Sequence, residues 1–213
     1  MKKLLSLLLA ATMLLALAAC GTANAGNDAA VEPKDDVTSD AADPAPTEET
    51  PEGTGSKVLV AYFSATGHTR TIAEYLQTAL DADLYEIVPQ EPYTADDLDY
   101  NTDGCRANRE QNDDAARPAI SGSVDNMDGY DVVFIGYPIW WGQAPKIVYT
   151  FLESYDLSGK TVVPFCTSGG SGIDGSLGGI QALAPDADWL AGQRFSAGAS
   201  EADVQSWVDN LGL

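Results

Sequence analysis

The chain has 213 residues, of which 32 are acidic and 11 basic, giving a formal net charge of −21 at pH 7. Such a length suits one domain with attachments better than two domains. The charge argues against nucleic acid and against an anionic lipid surface as partners.

Residues 1–19 read as a signal peptide: Lys2 and Lys3 form a positive start, and Leu4 to Leu17 is an almost unbroken apolar run, too short for a stable span. The run ends in Leu17-Ala18-Ala19-Cys20, which resembles the lipobox of bacterial lipoproteins. That resemblance implies lipidation of Cys20 and an exported, membrane-anchored lipoprotein of the bacterial cell envelope. Each buried methylene contributes about 0.8 kcal/mol, so two or three acyl chains hold stably. Two other readings stand beside it: cleavage after Ala23-Asn24-Ala25, releasing a soluble protein, or an uncut leader. The cysteine placed directly after the apolar run is the more specific signal.

Residues 20–56 follow as a disordered acidic linker behind the lipidated cysteine. From Gly21 to Ser56 there is no aromatic residue, one basic residue (Lys34), nine acidic residues and four prolines. Too little apolar area is available to offset ordering, and like charges keep such a tether extended.

Residues 57–213 are the folded domain, with eight basic against 23 acidic residues, a net −15. Val58 to Phe63 is a continuous apolar run, as expected of a parallel strand covered on both faces. A helix follows with Ile72, Tyr75, Leu76 and Leu80 on one face, and Asp83 to Val88 alternates like a strand nearer a sheet edge. Asp131 to Tyr137 is a further apolar strand, and Pro145 to Ser154 a helix with proline in its first turn. Thr161 to Cys166 is the fourth strand, where Pro164 removes a ladder donor and predicts an irregularity. Ser176 to Leu183 suggests a helix, Trp189 to Phe195 a fifth strand, and Ser200 a cap for a closing helix through Leu211. This alternation implies an α/β fold with a doubly wound, five-stranded parallel sheet and helices on both faces. Cys105 and Cys166 are read as independent thiols, and no metal site is expected.

Three loops carry the chemistry. After the first strand, Ser64-Ala65-Thr66-Gly67-His68-Thr69 offers hydroxyls, a glycine and a helix N-terminus, which together suit a terminal phosphate. It carries no Lys-Ser/Thr pair and no G-x-G-x-x-G fingerprint, so neither a nucleoside triphosphate nor a dinucleotide is indicated. After the third strand, Pro138-Ile139-Trp140-Trp141-Gly142 places two tryptophans where one can wall a pocket for a flat ring while the other packs inward. After the fourth strand, Thr167-Ser168-Gly169-Gly170-Ser171-Gly172 supplies backbone donors and leaves room for a ligand edge. All three lie at the carboxyl ends of parallel strands, where open α/β sheets bind ligands.

On these motifs, Lys57 to Leu213 resembles the flavodoxin-like family, in particular its branch with a Tyr-Pro-Ile-Trp-Trp-Gly loop and a Thr-Ser-Gly-Gly-Ser-Gly loop. The resemblance implies strand order 2-1-3-4-5 and noncovalent FMN. It assigns the phosphate to Ser64, Thr66, Gly67, His68 and Thr69, with His68 acting through its backbone. It assigns the isoalloxazine to Pro138 through Gly142, and the ring's polar edge to Thr167 through Gly172. One departure stands out: no tyrosine occupies the loop after the fourth strand, where short flavodoxins place one to stack on the flavin.

The implied function is membrane-tethered electron transfer through flavin N5, with a redox protein as partner. The first alternative is an NAD(P)H-dependent FMN or quinone oxidoreductase acting on a small quinone or nicotinamide substrate. The second is an exported binding protein with no flavin. Arg106, Arg109 and Arg117, in the long 89–130 crossover, are read as surface ion pairs with Asp96, Asp97, Asp113 and Asp114, or else as reaching the pocket.

Overall fold

The computed structural model describes residues 56–213. The expected signal peptide, Cys20 and the expected linker as far as residue 55 lie outside the described residues. Among the described residues no helix is long and apolar enough to cross a membrane.

The chain order is β1 (Val58–Tyr62), α1 (His68–Leu80), β2 (Asp83–Glu86), β3 (Val88–Pro89), α2 (Arg106–Gln111), β4 (Ile120–Ser121), β5 (Val132–Pro138), α3 (Lys146–Glu153), β6 (Thr161–Thr167), α4 (Asp174–Gln181), β7 (Asp188–Trp189), β8 (Gln193–Phe195) and α5 (Glu201–Val208). β2-β1-β5-β6 pair side by side and parallel, and β7 and β8 both pair with the far edge of β6. The result is the expected α/β sheet in the order 2-1-3-4-5, its fifth strand made in two pieces.

Strand alternation sorts the apolar residues into two layers. Leu59, Ala61, Val133, Ile135, Tyr137, Val162 and Cys166 pack towards α3, α4 and the crossover. Val60, Tyr62, Phe134, Val163 and Phe165 pack towards α1 and α5. Burial on both faces is why the central strands read as unbroken apolar runs. The α5 helix begins with a reciprocal capping box, in which the Ser200 hydroxyl accepts from Asp203 N–H while the Asp203 carboxylate accepts from Ser200 N–H.

The irregularity expected at Pro164 falls on its neighbour. β6 itself is continuous, and Pro164 keeps register with Ile135 of β5. On its other side, the ladder runs as far as Leu190 N–H donating to Val162 carbonyl (2.9 Å) and resumes at Gln193 opposite Phe165. Pro164 has no N–H for that edge partner, so the fifth strand breaks into β7 and β8 opposite it. Gly192 fills the gap, where a Cβ would come within 3.0 Å of the Pro164 carbonyl oxygen.

Two further expectations are corrected. β2 ends at Glu86, and Val88 instead pairs antiparallel with Ser121 in a small ribbon, β3–β4, that opens and closes the crossover. The crossover arginines also choose other partners than those expected. Arg106 bonds Glu110 one turn on (2.7 Å), Arg117 grips Glu153 with two bonds (2.7 and 2.8 Å), and Arg109 donates to the Gly104 carbonyl. Of the four expected carboxylates, Asp114 is paired with Lys146 at 3.4 Å.

Candidate functional site

The loop from β1 into α1 is shaped by Gly67, whose φ of 89° turns the chain into the helix. Ser64 Oγ accepts from Gly67 N–H at 3.1 Å, so the loop is closed on itself. No side chain caps α1 and no acidic residue occupies its first turn. In a domain this acidic, the helix end is an uncommitted donor set with favourable polarity for an anion. Thr69 is buried beneath that turn, whereas Thr66 and His68 are exposed.

The tryptophan loop solves a packing problem by splitting its pair. Trp140 N–H donates to Gln143 carbonyl (3.0 Å) and Gln143 N–H returns the bond (2.9 Å), enclosing Trp141 and Gly142. Both enclosed residues have positive φ, 47° and 78°, the pattern of a type I′ turn. Trp140 is thereby driven inward, with its ring edge-on to Phe63 (5.5 Å) and Tyr93 (5.3 Å) and only 3% exposed. Trp141 is thrown outward, 43% exposed, with its ring 5.0 Å from that of Tyr100. A tryptophan in the left-handed region costs on the order of 1–3 kcal/mol, so the surroundings impose this turn.

Part of that imposition comes from Gln111, at the end of α2. Its amide donates to the Trp140 carbonyl (3.1 Å) and the Ala144 carbonyl (3.3 Å), and its oxygen accepts from Lys146 N–H (3.2 Å). One side chain therefore holds both ends of the turn and the start of α3.

Thr167, the last residue of β6, ties the three loops together. Its hydroxyl bonds that of Thr69 at 2.8 Å, and its carbonyl accepts from Ile139 N–H at 3.0 Å. Beyond it, Arg194 of β8 donates to the Ser168 carbonyl (2.8 Å) and hydroxyl (3.2 Å), and Ser168 donates to the Ser171 carbonyl. The small residues 169–172 remain exposed.

Between these loops lies a cleft of about 230 Å³. It is lined by Ala65, Thr66 and His68 from the first loop, Pro138, Ile139 and Trp140 from the second, and Thr167, Ser168 and Gly169 from the third. Leu98, Tyr100 and Ala197 complete the lining. Among the described residues, no acidic side chain lines it. Of the other residues singled out in the sequence, Ser64, Gly67 and Thr69 shape the first loop from behind. Trp141 and Gly142 form the turn tip, while Gly170, Ser171 and Gly172 continue past the cleft lining. Sequence reasoning missed Leu98, Tyr100 and Gln111 from the crossover, together with Ala197 and the Arg194 brace. A lone tyrosine in a polar, acidic stretch was the one available signal, and it carries no periodicity.

Buried groups beneath the cleft stay uncharged. Burial pushes the Cys166 thiol up to about 12, partly offset by the Arg194 guanidinium. Burial likewise pushes Tyr137 well above its ordinary value, against the pull of its bond to Ser176 Oγ (2.9 Å). Cys105 and Cys166 are both buried free thiols.

A protein designated a flavoprotein from Bacteroides eggerthii is 48% identical, the match covering 75% of this chain and 99% of that one, with a TM-score of 0.70. A second so designated, from Bacteroides uniformis, is 43% identical over 74% of this chain and 100% of its own, also with a TM-score of 0.70. A flavoprotein from Lactobacillus acidophilus solved in complex with FMN is similar in fold, at 24% identity over 75% of this chain and 100% of that one, with a TM-score of 0.57. Comparison with curated proteins gives no match. The family model for flavodoxin matches residues 57–211, nearly the whole described region, on a sheet whose order is the one that family's resemblance implies. The chain therefore belongs to the flavodoxin family.

Proposed function

We propose that this chain binds FMN in the cleft and serves as a membrane-tethered electron carrier. The observation that carries the reading is the Thr167 tie, which brings an acid-free helix N-terminus and an apolar wall of Pro138, Ile139 and Trp140 to one cleft. A phosphate on a flat heteroaromatic ring needs both features side by side in one cleft, and the residues present fit it.

The phosphate would be held by the exposed Thr66 hydroxyl and the His68 N–H, with the Ser64 hydroxyl and the Gly67 N–H joining once they give up their mutual bond, while Thr69 braces the loop from beneath through Thr167. The ring would lie along Pro138 to Gly142, its polar edge towards the backbone of Thr167 to Gly172. When bound, FMN supplies one- and two-electron redox chemistry, and the protein supplies orientation and electrostatics. Family membership and the two flavoprotein designations support the same reading.

The membrane tether is the part that rests on residues 1–20 alone. It calls for Cys20→Ala to move the protein out of the membrane fraction; retention there would sink the lipid anchor. For the cofactor, purified protein titrated with FMN is expected to quench its fluorescence with 1:1 stoichiometry and to acquire a structured visible band. A colourless protein that leaves FMN fluorescence unchanged would refute flavin binding. Rapid NADPH oxidation on addition of a quinone would replace the carrier with an oxidoreductase.

A further inference from the structure

Tyr100 is the largest exposed hydrophobic side chain bordering the cleft, 61% exposed, and it comes from a segment to which the three motif loops assign no role. Burial within the protein does not explain a ring left this far in water. Its one aromatic neighbour is Trp141, at 5.0 Å and 51°, itself held outward by a strained turn.

The backbone beneath Tyr100 is built rather than loose. Asp99 accepts from the Asn101 N–H (3.0 Å), the Asn101 side-chain amide (3.0 Å) and the Thr102 hydroxyl (2.8 Å). One turn earlier, Thr94 and Asp97 bond each other reciprocally across the start of the short 3-10 helix Asp96–Leu98. Two local polar motifs thus hold Leu98 and Tyr100 at the cleft, where both contribute to its lining.

The third loop, Thr167 to Gly172, has no aromatic residue and can meet a flat ligand only through backbone and small side chains. We propose that Tyr100 supplies the missing aromatic wall: presented by the Asp99 turn of the crossover, it stacks on the solvent-facing side of the bound isoalloxazine. This inference rests on the FMN reading above. A phenol ring gains from offset stacking on an electron-poor heteroaromatic face beyond the area it covers. A ring covered on that side also cannot receive a nicotinamide stacked there, which separates an electron carrier from a hydride-accepting oxidoreductase.

The test compares full-length protein with its Tyr100→Ala and Tyr100→Phe variants, titrated with FMN by fluorescence and followed by visible circular dichroism of the bound cofactor. Tyr100 is exposed, so both variants are expected to melt with the wild type. Tyr100→Ala is expected to raise the Kd for FMN about ten-fold, equivalent to about 1.4 kcal/mol. It is also expected to change the visible dichroism of bound FMN, whereas Tyr100→Phe keeps both within two-fold of wild type. Wild-type protein that binds FMN while Tyr100→Ala binds equally tightly with an unchanged dichroic spectrum would overturn the stacking role and leave the FMN reading intact. Wild-type protein that binds no FMN would overturn the FMN reading, and this inference with it.

Discussion

Gly136, in the middle of β5, offers a sharp test of how this sheet is packed. In register it lies between Tyr62 of β1 and Phe165 of β6. Registered neighbours in a sheet send their side chains to the same face, so two rings flank a position without a Cβ. A Cβ built there would stand 2.1 Å from Phe165 Cζ and 2.6 and 2.7 Å from its two ε carbons. The ring has to retreat by more than an ångström, yet Phe165 is fully buried in the layer that also holds Phe134, Val163 and Ile72. Overpacking a tight core costs typically about 1–3 kcal/mol, and Gly136→Ala belongs at the upper end because three ring atoms are hit together. For a domain of this size, about 3 kcal/mol lowers Tm by roughly 6–12 °C. Urea and thermal unfolding measure both quantities. Phe165→Leu removes the clashing ring carbons, so Gly136→Ala should cost at least about 1 kcal/mol less in that background, a coupling expected of touching residues. A Gly136→Ala protein within about 0.5 kcal/mol of wild type, or strict additivity in the double variant, would refute this packing argument.

Other perturbations separate roles that look alike in the sequence. Ser176 Oγ donates to the Ile173 carbonyl at 2.6 Å, which leaves the Tyr137 hydroxyl as donor in their shared bond. Ser176→Ala therefore orphans a buried hydroxyl, at about 1–3 kcal/mol, while Tyr137→Phe removes the donor itself, at about 0.5–1.5 kcal/mol; equal or reversed losses in urea unfolding would count against the assignment. Gln111→Ala removes three bonds that hold the tryptophan turn, so amide exchange at Trp140 and Gln143 should accelerate and FMN affinity should fall, with unchanged exchange the contrary result. The Ser200 N–H and hydroxyl hold the Asp203 carboxyl below its usual range. Its contribution is therefore complete above the unfolded carboxylate value of about 4 and fades as pH falls through the lower folded value. The stability gap between wild type and Asp203→Asn should close across that window, and a constant gap down to pH 2 would contradict the capping account.

Periodicity and punctuation made the sheet and its three loops legible, because each motif sits at a change from apolar strand to helix start. What escaped the sequence is non-local. Thr69 and Thr167 announce themselves only as hydroxyls, and their bond spans 98 residues. The same holds for Arg117 and Glu153, 36 residues apart, which is why nearer carboxylates in the chain were the wrong partners. The proline irregularity was legible as chemistry but misplaced by one strand, since a missing donor is felt by the neighbour that needs it. The crossover was the least legible region, because its contributions to the cleft are single residues. Leu98 and Tyr100 are carried by Asx-type turns, and Gln111 by the last residue of a short helix. A motif read loop by loop assumes that each wall of a site stays with its own loop. Here the third loop has no aromatic residue, while a tyrosine borders the cleft from a segment some seventy residues earlier. The absence of a family residue at its usual position therefore does not count as the absence of its contact.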